Sequence, residues 1–221
     1  MNNEFACGIK ASVPLCLGII PLGISYGLLA VQAGIRTLQA GAMSALVMAG
    51  SSQLMAVGMI GHADSISIIT AVFFVNLRNV VMSSAVMCRL EKTPLSTKLL
   101  CVFALCDETF ALFSLSDSRS ARWLLGANTM VYLTWVFSSV AGAALGQILP
   151  DIVTKSFGIA FYAAFLAMLV RSVSVSRGIL PLIVLTGAMN ALLQTFIPAS
   201  WALILSMTSG AALGTYFVRE P

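Results

Sequence analysis

Charge is what this 221-residue sequence has least of, since its 12 Lys and Arg and 8 Asp and Glu make up only 9% of the chain. A soluble globular domain carries roughly 25%. With 59% of residues hydrophobic and a mean hydropathy of +0.97, no globular arrangement could present a wettable surface, and a water-soluble fold is excluded. Histidine is nearly missing as well. His62 stands alone, in a connection beside Asp64. There is no His-Glu-x-x-His run, no acidic metal cluster and no Ser and His paired in the apolar segments, so the residues an intramembrane enzyme needs are not provided. Five cysteines, Cys7, Cys16, Cys88, Cys101 and Cys106, lie in or beside apolar runs without paired metal spacing and read as small apolar packing residues. No metal and no cofactor is expected. The net charge of +4 is scattered one or two residues at a time, which leaves no basic patch for nucleic acid. The ten-residue alternation of a transmembrane barrel is also missing. A signal peptide's basic start and cleavage site are lacking at the N-terminus, where Pro14 and Pro21 would interrupt its apolar region, so the first span is expected to be kept.

Long apolar runs are what the sequence has. Punctuation by charge, Pro and Gly gives eight of them, at about 11–34, 37–60, 65–88, 97–116, 126–149, 156–172, 178–197 and 199–218. Runs of this length cross a bilayer as helices. The expected fold is therefore an all-α polytopic membrane protein, a bundle of seven or eight transmembrane helices forming a single integral domain over 1–221. Lys and Arg divide almost evenly between the two sides and do not orient it. Within the first stretch Pro14, Gly18, Pro21, Gly23 and Gly27 remove or free backbone hydrogen bonds, and a broken helix is expected there. Gly50-Ser51-Ser52-Gln53 falls near the middle of the second, and the sixth, ending at Arg171, is short for a full crossing. Interrupted spans are where transporters place their sites. Small residues also simply let helices approach closely. The hexapeptide Gly41–Leu46 recurs in near-identical form as Gly187–Leu192, five spans later. An odd offset is what an inverted-topology repeat would give, and chance similarity in a chain so rich in Ala, Gly, Met and Leu would give it too.

The informative residues are the charges inside these runs. Arg78 lies near the centre of the third stretch, Asp107 and Glu108 near the centre of the fourth. Each costs roughly 2.5–3.5 kcal/mol to insert. Pairing Arg78 with one carboxylate offsets part of that cost, but adjacent residues on a helix point about 100° apart, so the two acids cannot both face one partner. The leftover acid becomes a candidate proton carrier. Asn76, Asn79 and Ser83 follow i, i+3, i+7 spacing and share one face of the third helix, with Arg78 pointing elsewhere. Together with Ser51, Ser52 and Gln53 they could coordinate a small polar ligand or form a satisfied packing network.

Several motifs in order are recognisable: Pro21-Leu22-Gly23, Tyr26-Gly27-Leu28-Leu29-Ala30, Ala33-Gly34, Met43-Ser44, Ala49-Gly50-Ser51-Ser52-Gln53, Asn76-Leu77-Arg78 and Asp107-Glu108-Thr109-Phe110-Ala111-Leu112. Over about residues 8–170 the chain resembles the AzlC family of branched-chain amino acid exporters. The resemblance implies a permease of the bacterial cytoplasmic (inner) membrane that exports Leu, Ile, Val and Met, working with a small AzlD-type membrane subunit. Two departures stand out. Asn79 follows Asn-Leu-Arg where the family typically has His, and Cys106 precedes the acidic pair where it typically has Thr. A proton relay through such a histidine is not available here, and the role falls to Asp107 or Glu108. The loop Ser116 to Arg122 is also short for the family.

The expected mechanism is proton-coupled export of a zwitterionic amino acid bound near the bilayer midplane. Candidate substrate contacts are Pro21, Gly23, Gly50, Ser52, Gln53 and Asn76, and candidate ion-pair and proton-coupling residues are Arg78, Asp107 and Glu108. The competing reading is a non-transporting assembly subunit or passive channel whose buried charges serve docking.

Overall fold

Without water in the bilayer core, a backbone must satisfy its own hydrogen bonds, and helices do so within one segment. The computed structural model describes residues 4–90, 93–116, 120–148, 166, 170 and 179–217, and among these it forms nine helices and no strand. Three are long and apolar enough to cross a membrane: α1 (Glu4–Gln32), α4 (Ser65–Arg89) and α7 (Ala121–Gly146). Two spans are each split into half-helices. The second is α2 (Thr37–Leu46) and α3 (Gly50–Met59), and the fourth is α5 (Leu95–Phe103) and α6 (Asp107–Leu115). The chain closes with α8 (Ile179–Leu193) and α9 (Ala199–Phe217). The sixth apolar stretch, apart from residues 166 and 170, and the middle of the Ser116–Arg122 loop lie outside the described residues. The first copy of the repeated hexapeptide ends α2 at Leu46, and the second lies in the last turns of α8, one residue short of its end at Leu193.

The break expected in the first span is not there. α1 runs 29 residues with Pro14 and Pro21 inside it. A proline in a membrane helix is tolerated where neighbours stabilise the segment, and α1 has such a neighbour along its length in α7. The two backbones touch. A Cβ on Gly27 would collide with the Ser139 carbonyl and the Ala143 amide, and one on Gly142 with the backbone of Ile24. Small residues at a crossing let backbones approach this closely. Beside Pro21, the Ser25 hydroxyl donates to the Pro21 carbonyl at 2.8 Å.

The interruptions fall at 47–49, as the Gly-Ser-Ser-Gln run suggested, and at 104–106, in a segment expected to be one helix. Val47 (φ −130°, ψ 104°) and Cys106 (φ −129°, ψ 173°) are extended, and Ala49 (φ −147°, ψ 76°) is also outside the helical region. Carbonyls freed at such breaks cost several kcal/mol each if left bare in lipid. One helix serves both. From α7, Tyr132 donates its hydroxyl to the Ala45 carbonyl at the end of α2 (2.7 Å), and Asn128 its amide to the Cys101 carbonyl in the last turn of α5 (2.7 Å). The two donors are four residues apart and so share a face of α7.

Two apolar clusters flank these breaks. One gathers Ile19, Tyr26, Ala40, Leu54, Val131 and Trp135, and the other Val86, Leu90, Cys101, Leu105, Phe113 and Leu124. Beside the second, Arg89 at the end of α4 caps α6. Its guanidinium donates to the carbonyls of Phe113 (2.9 Å), Ser114 (3.1 Å) and Ser116, and lies 4.8 Å from the Phe113 ring centre. A cation there complements the negative end of the helix dipole. Ile66, Ile69, Phe73 and Val80 turn outward from α4, the apolar surface that lipid requires.

Candidate functional site

The two interruptions meet. Between them lies a cavity of about 110 Å³, walled by Ile19 and Leu22 of α1, Met48, Ala49, Gly50, Ser51 and Leu54 of the second span, and Arg78 and Asn79 of α4; Cys106, Asp107 and Glu108 of the fourth span and Trp135 of α7 complete it. Its lining combines apolar side chains with three charged ones, Arg78, Asp107 and Glu108. Arg78 comes from the middle of α4 and reaches across the space, where its Nη2 lies 2.7 Å from Asp107 Oδ2 and donates to Ser51 Oγ at 2.5 Å. One guanidinium thereby ties the start of α3 to the start of α6.

That position explains how the acids are tolerated. Asp107 and Glu108 occupy the first turn of α6, not the centre of a continuous helix, and the positive end of the helix dipole favours negative charge there. The N–H of Cys106 is held by Thr109 Oγ1 at 3.1 Å, which fixes the turn into the helix. Asp107 is the partner of Arg78, while Glu108, half-buried at the same cavity wall, makes no ion pair with any described residue. α3 starts at Gly50 with no side-chain cap, so its first N–H groups are left for other acceptors.

The candidate residues divide by place. Gly50, Arg78, Asp107 and Glu108 border the cavity. Asn76 stands behind it, accepting from Asn79 Nδ2 at 3.3 Å. Ser52 turns back to the Ala49 carbonyl at 2.9 Å. Gln53 is 3% exposed and committed at both ends, donating to Ser44 Oγ (3.4 Å) and accepting from Trp135 Nε1 (2.9 Å). Pro21 faces outward on α1, and Gly23 lies against Ser138 of α7. Arg78 was expected to point away from the Asn79 face, yet both border the cavity. The long arginine stem lets the head reach a neighbouring face.

Trp135 went unnoticed in the sequence. It sits with Asn128 and Tyr132 at i, i+4, i+7 spacing, one face of α7 on which each residue donates to a half-helix of a broken span. That spacing is readable, but the stretch from Trp123 to Gly146 carries no charge and several other hydroxyls, so the three donors do not stand out. Among the described residues no group of three His, Cys, Asp or Glu side chains comes together as metal ligands would.

Comparison with known proteins finds a family and several relatives. The model of the AzlC family, described as AzlC protein, matches residues 14–149. An uncharacterized membrane protein of Archaeoglobus fulgidus is 30% identical over 170 residues, 75% of this chain and 74% of the relative. Inner membrane protein YgaZ of Escherichia coli is 27% identical over 212 residues, 90% of this chain and 85% of the relative. The branched-chain amino acid transport protein AzlC of Bacillus subtilis is 24% identical over 175 residues, 76% and 67% of the two chains. No solved structure matches. Every wall of the cavity, from Ile19 to Trp135, falls inside the stretch that the family model matches; the chain belongs to the AzlC family.

Proposed function

We propose that the protein is a secondary transporter that exports branched-chain amino acids, Leu, Ile and Val, together with Met, across the cytoplasmic membrane, driven by protons and acting with a small AzlD-type subunit. The observation that carries this reading is the composition of the cavity. It brings a cation, Arg78, the uncapped start of α3 and Glu108, a carboxylate with no ion-pair partner among the described residues, to one space that Ile19, Leu22, Leu54 and Trp135 also line. A zwitterion with an aliphatic side chain has the complementary pattern. Its carboxylate suits Arg78 and the α3 N–H groups, its ammonium suits Glu108, and its side chain suits the apolar walls. The name of the Bacillus subtilis relative, a branched-chain amino acid transport protein, and that of the Escherichia coli one, an inner membrane protein, point the same way.

The charge count supports proton coupling. Arg78 and Asp107 neutralise each other, which leaves Glu108 to carry a proton when no ammonium faces it. An ammonium and a proton then compete for one carboxylate, and that competition couples their movements in opposite directions. The test is transport of labelled leucine in proteoliposomes, with and without the small subunit. Leucine should accumulate against its gradient when a pH gradient is imposed. Glu108→Gln should lose that accumulation and keep leucine exchange. Selectivity among Leu, Ile and Val should be modest, because one methylene in an apolar pocket discriminates by only about 1–3 kcal/mol. Lysine or glutamate as preferred substrate would overturn the substrate class. Movement only down a gradient would make the protein a passive channel, and no movement at all an assembly subunit.

A further inference from the structure

One wall of the cavity differs from the rest in being fixed from several directions. Leu22 and Met48 are unbranched at Cβ and can shift rotamer around a ligand, while Ile19 and Leu54 are packed into the core beside them. Trp135 cannot shift. Its indole N–H donates to Gln53 Oε1 at 2.9 Å, and Gln53 is itself held by Ser44. Tyr26 stacks on the ring with centroids 5.8 Å apart and planes 27° from parallel. Against the six-membered ring edge stands Gly50, where a Cβ would come within 2.8 Å of indole Cη2, so the missing side chain is what leaves room for the ring. Trp135 is 5% exposed and Tyr26 fully buried. With its only donor engaged behind it, the indole offers a ligand carbon alone.

From this arrangement we propose that Trp135 is the specificity-determining residue of the cavity, a rigid stop that admits aliphatic side chains up to the length of leucine or methionine and excludes aromatic ones, with Gln53 as the positioning residue that holds the stop in place. The proposal rests on the reading of the cavity as an amino acid site. In a space of about 110 Å³, walls that yield set no upper size, and the wall that does not yield sets it.

The test compares phenylalanine with leucine in the reconstituted transporter. Trp135→Phe should raise the ratio of kcat/KM for phenylalanine over leucine by about tenfold or more. Gln53→Met, similar in length but without an acceptor, should move the ratio the same way by less, and Gln53→Glu, which keeps an acceptor, should bring it back toward the wild type. A role in packing alone would lower transport of both substrates together and leave their ratio unchanged. A second measurement needs no change at Trp135. The sequence has 3 tryptophans, so Trp123→Phe with Trp201→Phe leaves Trp135 as the sole emitter, and leucine should shift its fluorescence saturably. An unchanged ratio in a Trp135→Phe protein that still moves leucine would overturn the proposal. So would emission that ignores leucine at concentrations saturating transport. A wild-type protein that neither binds nor moves any amino acid overturns the export reading itself, and this proposal with it.

Discussion

The α1–α7 pair and the two broken spans bury their backbones in opposite ways. Along α1 and α7 the helices are continuous, glycines bring main chain against main chain, and hydroxyls such as Ser25 and Ser139 bond within their own helix. In the broken spans the helices stop at mid-course, and their ends are completed by side chains from elsewhere: Tyr132, Asn128, Arg78 and Arg89. Close contact between whole helices gives a frame that no ligand can enter. Interruption gives up some of that self-sufficiency and gains helix ends, which are the polar groups a bilayer otherwise hides. The site lies where the two designs touch, with α7 belonging to both.

Substitutions that crowd the frame should have the largest effect. Gly27→Leu places a side chain on the α7 backbone, beyond the about 1–3 kcal/mol typical of an overpacked core, and should leave little folded protein by fluorescence-detected size exclusion. Gly18→Leu, on the same helix but with open space around it, should express normally; equal losses in both would erase the distinction. Next comes the ion pair of the broken region. Asp107→Asn strands Arg78, and because the two side chains are 45% and 47% exposed the cost should fall below the about 3–5 kcal/mol of a fully buried pair. Adding Arg78→Gln should recover expression without recovering transport.

Smaller effects should follow at the completed helix ends. Tyr132→Phe removes the donor to the Ala45 carbonyl and should cost about 1 kcal/mol, or about 2–4 °C in the thermal midpoint. Asn128→Leu should cost less than its 2.7 Å bond suggests, since Asn128 Oδ1 is buried without a hydrogen-bond partner among the described residues and its removal returns part of the loss. The smallest effect belongs to the connection between α3 and α4. There the N–H and hydroxyl of Ser67 hold the Asp64 carboxyl below the usual carboxylate range. A lowered folded-state pKa adds stability above the unfolded value and loses it as the pH falls through the folded one. Wild type and Asp64→Ala should therefore differ in thermal midpoint at neutral pH, and the gap should narrow once the pH drops below about 4.

Membrane class and helical architecture were legible because hydropathy over twenty residues leaves few alternatives. Arg78, Asp107 and Glu108 were legible for the same reason, as costs that packing does not explain. The prolines of α1 misled, because a proline breaks a helix only where nothing else supports it, and the support comes from α7, far away in sequence. In the fourth span the break was hidden under a continuous apolar run. Its signal was present in Cys106-Asp107-Glu108-Thr109, acids in a first turn as helix starts prefer, and insertion cost drew attention to the charges before their place in a helix. Gln53 was read as a ligand anchor from its polarity. Only the tertiary structure reveals that Trp135 and Ser44 already occupy it.

One feature of α4 bears on how the cavity can change shape. Arg78 and Arg89 are eleven residues apart, about 16 Å along a helix and nearly on the same face, and between them they grip a half-helix of nine residues, α6, by its first-turn carboxylate and its last carbonyls. The two grips differ in kind. Carbonyls do not titrate, so the hold of Arg89 does not depend on protonation, whereas the hold of Arg78 depends on the charge of Asp107 and on whatever else competes for the guanidinium. One helix thus holds both ends of α6, and the end whose hold depends on charge is the one that carries Asp107 and Glu108 to the cavity.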